Sequence, residues 1–233
     1  MDSKAIIHKT REDYNRIAPL YAATRYKLGD DLKPFKKLVK DGQNILDWGC
    51  GNGRLVYLLE DKKVSYFGLD QSQGLLDEAK KQWAQKIKSG QVKFFSTASR
   101  LKNFTNDFFD LAFLVASFHH LPDQDTRLKL LQKIYKELKP KSKIIITVWN
   151  LESDWAKNKF QKDWELMSEN DFIIPWKNGK GELIVKRYYH HFSQEELKSL
   201  LKRAGFKNIK MSYDGNVKFT GKTGRNLVAV ATK

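Results

Sequence analysis

From residue 44 onward the chain switches repeatedly between two hydrophobic periods. Apolar runs of strand length cover residues 44–47, 64–70, 91–96, 109–116 and 143–149. Between them apolar residues recur every three or four positions, from about residue 53, over 72–88 and over 123–138. The run at 109–116 is nearly all apolar, as a strand buried on both faces must be. The helical stretch after it opens on Pro122-Asp123 and stops before Lys139-Pro140, a start and a stop that suit a helix. Strand and helix in alternation predict an α/β chain with a doubly wound, mostly parallel sheet, whose ligand sits beyond the carboxyl ends of the central strands. Past residue 192, Ser193-Gln194-Glu195-Glu196 has the form of a capping box for a helix to Ala204-Gly205. Strands over 207–213 and 227–232 follow, with a loop at 215–224. Those two need no crossover helix, so the sheet is expected to reach seven strands and to end on an antiparallel hairpin.

Two regions depart from the alternation. Residues 1–43 hold helical patterns over 9–17 and 30–40, the second opening on Asp30-Asp31 where a helix dipole favours acids. The aromatic and basic segment between them, Ala18-Pro19-Leu20-Tyr21-Ala22-Ala23-Thr24-Arg25-Tyr26-Lys27, reads as a loop: either a lid over the ligand site or a surface loop whose tyrosines pack on the core. Residues 150–192 are less regular, carry Trp155, Trp164 and Trp176, and read as an insertion beside the ligand-binding edge. The expectation is one domain over 1–233, with a helical cap or lid at 1–43 and an insertion at 150–192.

Composition narrows the setting. A length of 233 residues suits one large domain. The longest apolar run, near 111–118, is too short to cross a bilayer, and Ala5-Ile6-Ile7 is too short for a secretory signal, so no membrane partner is expected. The single cysteine, Cys50, excludes an internal disulfide framework and a multi-cysteine metal site; no metal is expected, and a reducing cytoplasm suits the chain. Lysine and arginine number 43 against 27 acids, a net charge of +16, which favours a polyanionic partner such as RNA over a merely solvated lysine-rich surface.

The candidate chemistry gathers at Asp47-Trp48-Gly49-Cys50-Gly51-Asn52-Gly53, a strand, a tight glycine turn and a helix start that would let a ligand approach the backbone closely. About twenty residues on, the next strand ends at Asp70, where a ribose-binding carboxylate is expected. A dehydrogenase fingerprint would run G-x-G-x-x-G, and here the third glycine comes one residue early. The motif Asp47-x-Gly49-Cys50-Gly51-x-Gly53, with Gly68-Leu69-Asp70-Gln71-Ser72 and Leu138-Lys139-Pro140, resembles class I S-adenosylmethionine-dependent methyltransferases, which implies a Rossmann-like methyltransferase fold and that cofactor.

More specific segments are similar to the tRNA wobble-uridine carboxymethyl methyltransferases, which form a methyl ester on 5-carboxymethyluridine in the anticodon. They are Tyr14-Asn15-x-Ile17-Ala18-Pro19 with Thr24-Arg25-Tyr26, Phe118-His119-His120, Ile174-Pro175-Trp176 and Arg187-Tyr188-Tyr189-His190-x-Phe192. The resemblance runs from about residue 13 to the end. It implies a tRNA partner met at its anticodon stem-loop and, for some family members, a small zinc-binding activator subunit. On the cofactor side Asp47, Gly49, Cys50, Gly51, Asn52 and Gly53 are assigned to the methionine end, Asp70 to the ribose hydroxyls, and Thr97 and Ala98 to the adenine, with Gln71, Ser72 and Ala116 as further cofactor-binding candidates. An acceptor carboxylate is already ionised near neutral pH and needs cations rather than a base. Arg25 and Arg187 are the candidates, with Tyr26 and His119 shaping the pocket and Tyr189 and His190 on the nucleotide side. Arg25 has the alternative of holding the cofactor's own carboxylate. Two departures stand out: Ser96-Thr97-Ala98 where the family has an acid, and Gly224-Arg225-Asn226-Leu227 in place of an aromatic-rich ending. Fold alone does not fix the acceptor, so a small-molecule O- or N-methyltransferase is the alternative reading, with a non-catalytic RNA-binding module behind it.

Overall fold

A computed structural model describes residues 2–30, 32–98, 104–214 and 224–233. The chain opens with α1 (Ser3–Ala23), then β1 (Asn44–Trp48), β2 (Ser65–Asp70), α2 (Gln73–Gln82), α3 (Ala84–Lys88), β3 (Val92–Ser96) and β4 (Phe109–Val115). There follow α4 (Gln124–Glu137), β5 (Leu138–Trp149), α5 (Asp154–Phe160), β6 (Glu165–Ser168), β7 (Asp171–Lys177), β8 (Leu183–His190), α6 (Gln194–Arg203), β9 (Lys207–Tyr213) and β10 (Asn226–Thr232). Seven strands form one sheet in the order β3-β2-β1-β4-β5-β10-β9. The first five are mutually parallel, and β10 runs antiparallel to both β5 and β9, which gives the terminal hairpin. Chain order reverses between β1 and β4, so a crevice opens there at the carboxyl ends of the strands.

The central strands carry apolar runs because both faces are covered. Along them neighbouring residues part company: Leu46, Leu114 and Ile146 enter a cluster with Leu131 and Ile134 of α4 and Leu197, Leu200 and Leu201 of α6. Ile45, Phe113 and Ile145 enter the opposite cluster with Leu76 and Ala79 of α2 and with Trp83. Among the described residues no helix is long and apolar enough to cross a membrane.

Four local expectations need correction. The loop expected over 18–27 is cut short: α1 runs unbroken through Pro19 to Ala23, and only the residues from Thr24 onward leave the helix. A proline inside a helix costs about 3 kcal/mol, but Pro19 is exposed while the opposite face is pinned. Asn15 Oδ1 accepts from Ser72 Oγ at 2.8 Å and from the Gly74 amide at 3.1 Å, and Gly74 lets Ala18 come close, since a Cβ on it would meet the Ala18 methyl at 3.0 Å. The second pattern, at 30–40, is only a 3₁₀ turn over Lys33–Leu38, and Asp31 lies outside the described residues. The six residues after the glycine loop, Arg54–Leu59, are also 3₁₀ rather than α-helix. The single helix expected over 72–88 breaks at Trp83 into α2 and α3. Most of the loop expected at 215–224 falls outside the described residues. The irregular 150–192 stretch contains α5 and a separate antiparallel sheet, β6-β7-β8.

Candidate active site

The glycine loop is shaped by three constraints. Gly49 sits at φ +74°, and a Cβ there would lie 2.3 Å from Ser117 Cβ, so strain and the close approach of the loop after β4 both demand glycine. The Gly49 and Cys50 amides donate to the Leu69 carbonyl at 2.7 and 3.0 Å, tying the loop to β2. The Gly51 amide donates to Asp70 Oδ2 and the Ser72 amide to Asp70 Oδ1, both at 2.8 Å. Asp70 therefore closes the loop and keeps further acceptor capacity on each oxygen for a ligand. Burial raises its carboxyl above the ordinary range, against the three backbone amides of Ser72, Gly51 and Gln71.

Asp47 is the deeper carboxylate. It is 2% exposed, and Tyr66 Oη donates to its Oδ2 at 2.7 Å while Oδ1 has no partner among the described residues. Burial pushes its pKa up to about 7; the Tyr66 bond opposes this and the Asp70 charge adds to it. A buried carboxylate with one orphaned oxygen, beside amide-lined backbone and a strand-end acid, fits a ligand bearing an ammonium and ribose hydroxyls, as S-adenosylmethionine does.

A cavity of about 360 Å³ lies over these groups. Its lining includes Asp47, Gly49, Cys50, Gly51, Asn52, Asp70, Gln71, Thr97, Ala98 and Ala116. Two expected contacts are not there. Ser72 is fully buried and caps α2, accepting from the Leu75 amide at 3.2 Å, and Gly53 backs onto Phe94 and Trp83 instead. None of the α1 residues roofing the cavity is among the site residues expected from the sequence: Ile7, Thr10, Tyr14 and Tyr21 line it, at a spacing that one helix continuing through Pro19 puts on one face. Asn52 Nδ2 donates to the Arg25 carbonyl at 3.2 Å, joining the glycine loop to the end of that roof.

A second cavity, of about 1120 Å³, shares Tyr14, Tyr21, Arg25, Arg54 and Ala116 with the first, so the two meet under α1. Its inner wall is aromatic. Tyr189 of β8 stacks on Trp149 at the end of β5 (4.7 Å, 21°), Trp155 stands edge-on to Trp149 at 5.5 Å, and His119 lies 4.9 Å from Tyr189. Arg187 is 4% exposed against this wall, with its guanidinium 5.2 Å from the Tyr189 ring and 5.6 Å from the Tyr14 ring. No carboxylate pairs with it among the described residues; its Nε and the Tyr189 hydroxyl are both without hydrogen-bond partners there.

One directed chain of hydrogen bonds fixes this arrangement. Arg187 Nη1 donates to Tyr14 Oη at 3.1 Å. Tyr14 Oη lies 2.8 Å from His120 Nε2, and His120 Nδ1 lies 2.7 Å from the Tyr188 carbonyl. That carbonyl can only accept, so Nδ1 carries the ring proton and Nε2 accepts from Tyr14. Burial pushes the His120 pKa down to about 3, consistent with a neutral ring. His119 Nδ1 accepts from the Trp149 amide at 3.1 Å, leaving its proton on Nε2. Burial, then the charges of His120, Arg187 and His190, hold its pKa well below the usual imidazole range. Both histidines are neutral at physiological pH, and neither is poised as a base.

Two expected acceptor residues are placed elsewhere. Tyr26 is 63% exposed and lines neither cavity. His190 points to the other side of the small sheet, Nδ1 at 2.7 Å from Asp171 Oδ1 and Nε2 at 3.0 Å from both Glu196 oxygens. There it joins Arg127, which bonds Glu196 at 3.2 Å, in a buried polar cluster that fastens the small sheet to α4 and α6.

Comparison with known proteins agrees with this geometry. A family model described as a methyltransferase domain matches residues 20–211. A Schizosaccharomyces pombe protein named tRNA (carboxymethyluridine(34)-5-O)-methyltransferase is 27% identical over 86% of this chain and 90% of its own length. A Saccharomyces cerevisiae protein of the same name is 28% identical over 73% of this chain, which spans 56% of that relative. A putative methyltransferase of Encephalitozoon cuniculi is 32% identical over 70% of each. Among solved structures, an S-adenosylmethionine-dependent methyltransferase of Clostridium acetobutylicum superimposes with a TM-score of 0.67 at 19% identity, over 94% of this chain and 98% of that one, a likeness that bears on the fold. With the glycine corner, the orphaned Asp47 oxygen and the strand-end Asp70 in place, the chain belongs to the methyltransferase domain family and is an S-adenosylmethionine-dependent methyltransferase.

Proposed function

We propose that this enzyme methylates the carboxylate of 5-carboxymethyluridine at the wobble position of tRNA, acting on the cytoplasmic tRNA pool. The observation that carries the reading is Arg187: a buried guanidinium with no acidic partner among the described residues, its Nε unused, facing a cleft that adjoins the cofactor cavity. A buried cation is costly unless an anion meets it, and a planar guanidinium is matched to a carboxylate. The names of the yeast relatives support the same acceptor.

When bound, S-adenosylmethionine supplies an electrophilic methyl on a positively charged sulfur. Asp47 would hold its ammonium, Asp70 its ribose hydroxyls, and Thr97 and Ala98, which line the same cavity, its adenine. Arg187, locked by Tyr14, orients the acceptor carboxylate; Arg25, at the junction of the two cavities, completes the cationic side. His119 offers an Nε2–H donor, and Tyr189 with Trp149 forms a face for the pyrimidine. No residue has to remove a proton, because the acceptor oxygen is already anionic; alignment and exclusion of water are the protein's task.

Nucleoside mass spectrometry of tRNA from cells with and without the protein tests the proposal. The methyl ester of the wobble uridine is expected to disappear with the gene; an unchanged profile would turn the reading to a small-molecule O- or N-methyltransferase. Repeating the reaction with the purified chain, alone and with a zinc-binding partner subunit, tells whether an activator is required.

A further inference from the structure

We infer that Arg225 and Lys159, set over the indole of Trp155, form a subsite for an RNA phosphodiester next to the acceptor nucleoside. The inference rests on the proposed RNA acceptor and deepens it. The Arg225 guanidinium carbon lies 5.0 Å from the Trp155 ring centre and the Lys159 ammonium 5.5 Å from it. The backbone holds the arginine there. The Arg225 carbonyl accepts from the Asn150 amide at 2.8 Å, and the preceding Gly224 carbonyl accepts from Asn150 Nδ2 at 3.1 Å. Asn150 directly follows β5, so Arg225 is anchored where the aromatic wall begins.

That wall connects the cation pair to the buried arginine ring by ring: Trp155 edge-on to Trp149, Trp149 stacked on Tyr189, Tyr189 beneath Arg187. The inner end is buried and takes one small anion, whereas Lys159 and Arg225 at the outer end are exposed. A ligand that places one anion at Arg187 and another at the rim has its charges spaced along a chain, with a flat ring between them. A nucleotide in a single strand has that form, whereas a small carboxylate acceptor does not.

Charge along the cleft points the same way. Its lining holds eight lysines and arginines against three aspartates. Each aspartate is engaged locally: Asp30 with Lys33, Asp163 with Lys177, and Asp214 with the amide and side chain of Asn226. Lys159 reaches solvent along its length, yet partial desolvation of its ammonium and then the neighbouring Arg225 and Arg25 charges make it hold its proton less tightly than usual, a crowding of like charge that a bound phosphate would relieve.

The test is binding of an unmodified anticodon stem-loop RNA to the full chain as a function of salt, with the Lys159→Gln/Arg225→Gln variant beside wild type. Loss of one phosphate contact is expected to flatten the slope of log affinity against log salt by about 0.7 and to weaken binding about tenfold at low salt. The charge-keeping variant Lys159→Arg/Arg225→Lys should restore the slope, and both should bind S-adenosylmethionine as wild type does. An unchanged slope and affinity in the glutamine variant, or no RNA binding by wild type at low salt, would overturn the subsite. If the RNA binds with the expected slopes but a second stem-loop carrying carboxymethyluridine at the wobble position is not esterified, the subsite stands and the proposed acceptor fails.

Discussion

The proposed contact between Asp47 and the cofactor's ammonium predicts that cofactor binding depends on pH. The Asp47 carboxyl titrates near 7 in the free protein, chiefly because burial disfavours the anion. The folded-state value lies above the unfolded one, so the native state holds this proton more tightly, and stability without cofactor falls as pH rises from about 4 to about 7, by at most about 4 kcal/mol. Binding an ammonium beside the orphaned Oδ1 selects the ionised form. Between pH 5.5 and pH 7 the ionised fraction rises from about 3% to about 50%, so apparent affinity should rise about sixteenfold, or about 1.6 kcal/mol. Isothermal titration calorimetry over that range, repeated in buffers of different ionisation enthalpy, would show both the rise and the released proton. The Asp47→Asn variant separates this group from Asp70: it should bind weakly with a flat profile, yet be more stable than wild type at pH 8 without cofactor. A wild-type affinity that does not change with pH, or the same slope in Asp47→Asn, would refute the reasoning.

Other consequences are simpler. Asp70→Ala removes the ribose acceptors and leaves the Gly51 and Ser72 amides without their carboxylate, so calorimetry should show cofactor affinity lowered about 30-fold to 100-fold. Arg187→Gln should lower kcat/KM for the RNA acceptor by about 10²-fold to 10³-fold while the cofactor dissociation constant stays unchanged. With cofactor saturating, kcat should be flat between pH 6 and pH 8, because His119 and His120 are already neutral there; a fall in rate as a histidine protonates near pH 6.5 would instead indicate a base.

Where one physical effect dominated locally, the chain could be read directly. The continuous apolar run of β4 had to be a strand covered on both faces, and Ser193 with its following acids had to start a helix, since its hydroxyl accepts from the Glu196 amide at 3.0 Å. The misreadings came where a local preference was overridden by distant contacts. Pro19 signals a break by itself, but Asn15 bonds to Ser72 and Gly74, residues that approach it only once α2 has formed. Similarly the helical period after Gly53 is real, since Leu55, Val56, Leu58 and Leu59 are buried at the i, i+1, i+3, i+4 spacing of one helical face, yet the six-residue segment tightens into 3₁₀ turns, which so short a pattern does not distinguish from α-helix.

The same distinction divides the site. The half proposed to hold the cofactor is built from a short glycine motif and the end of the next strand, where the backbone does the shaping, so that Asp47, Gly49, Gly51 and Asp70 come together at one cavity follows from order and spacing. The acceptor half is assembled from α1, the loop after β4, the end of β5 and β8, and there residue type misleads. His190 has the same chemistry as a pocket residue but is turned by strand alternation toward Asp171 and Glu196, whereas Tyr189, one position earlier, faces the cleft. Tyr26 lies past the end of α1, and with it past the last turn whose direction the helix controls. Tyr14, by contrast, sits inside the helix, roofs both cavities, and links Arg187 to His120. The residue that orients the acceptor arginine is therefore also a wall of the cofactor cavity, and a shift of α1 that loosens one half of the site must disturb the other.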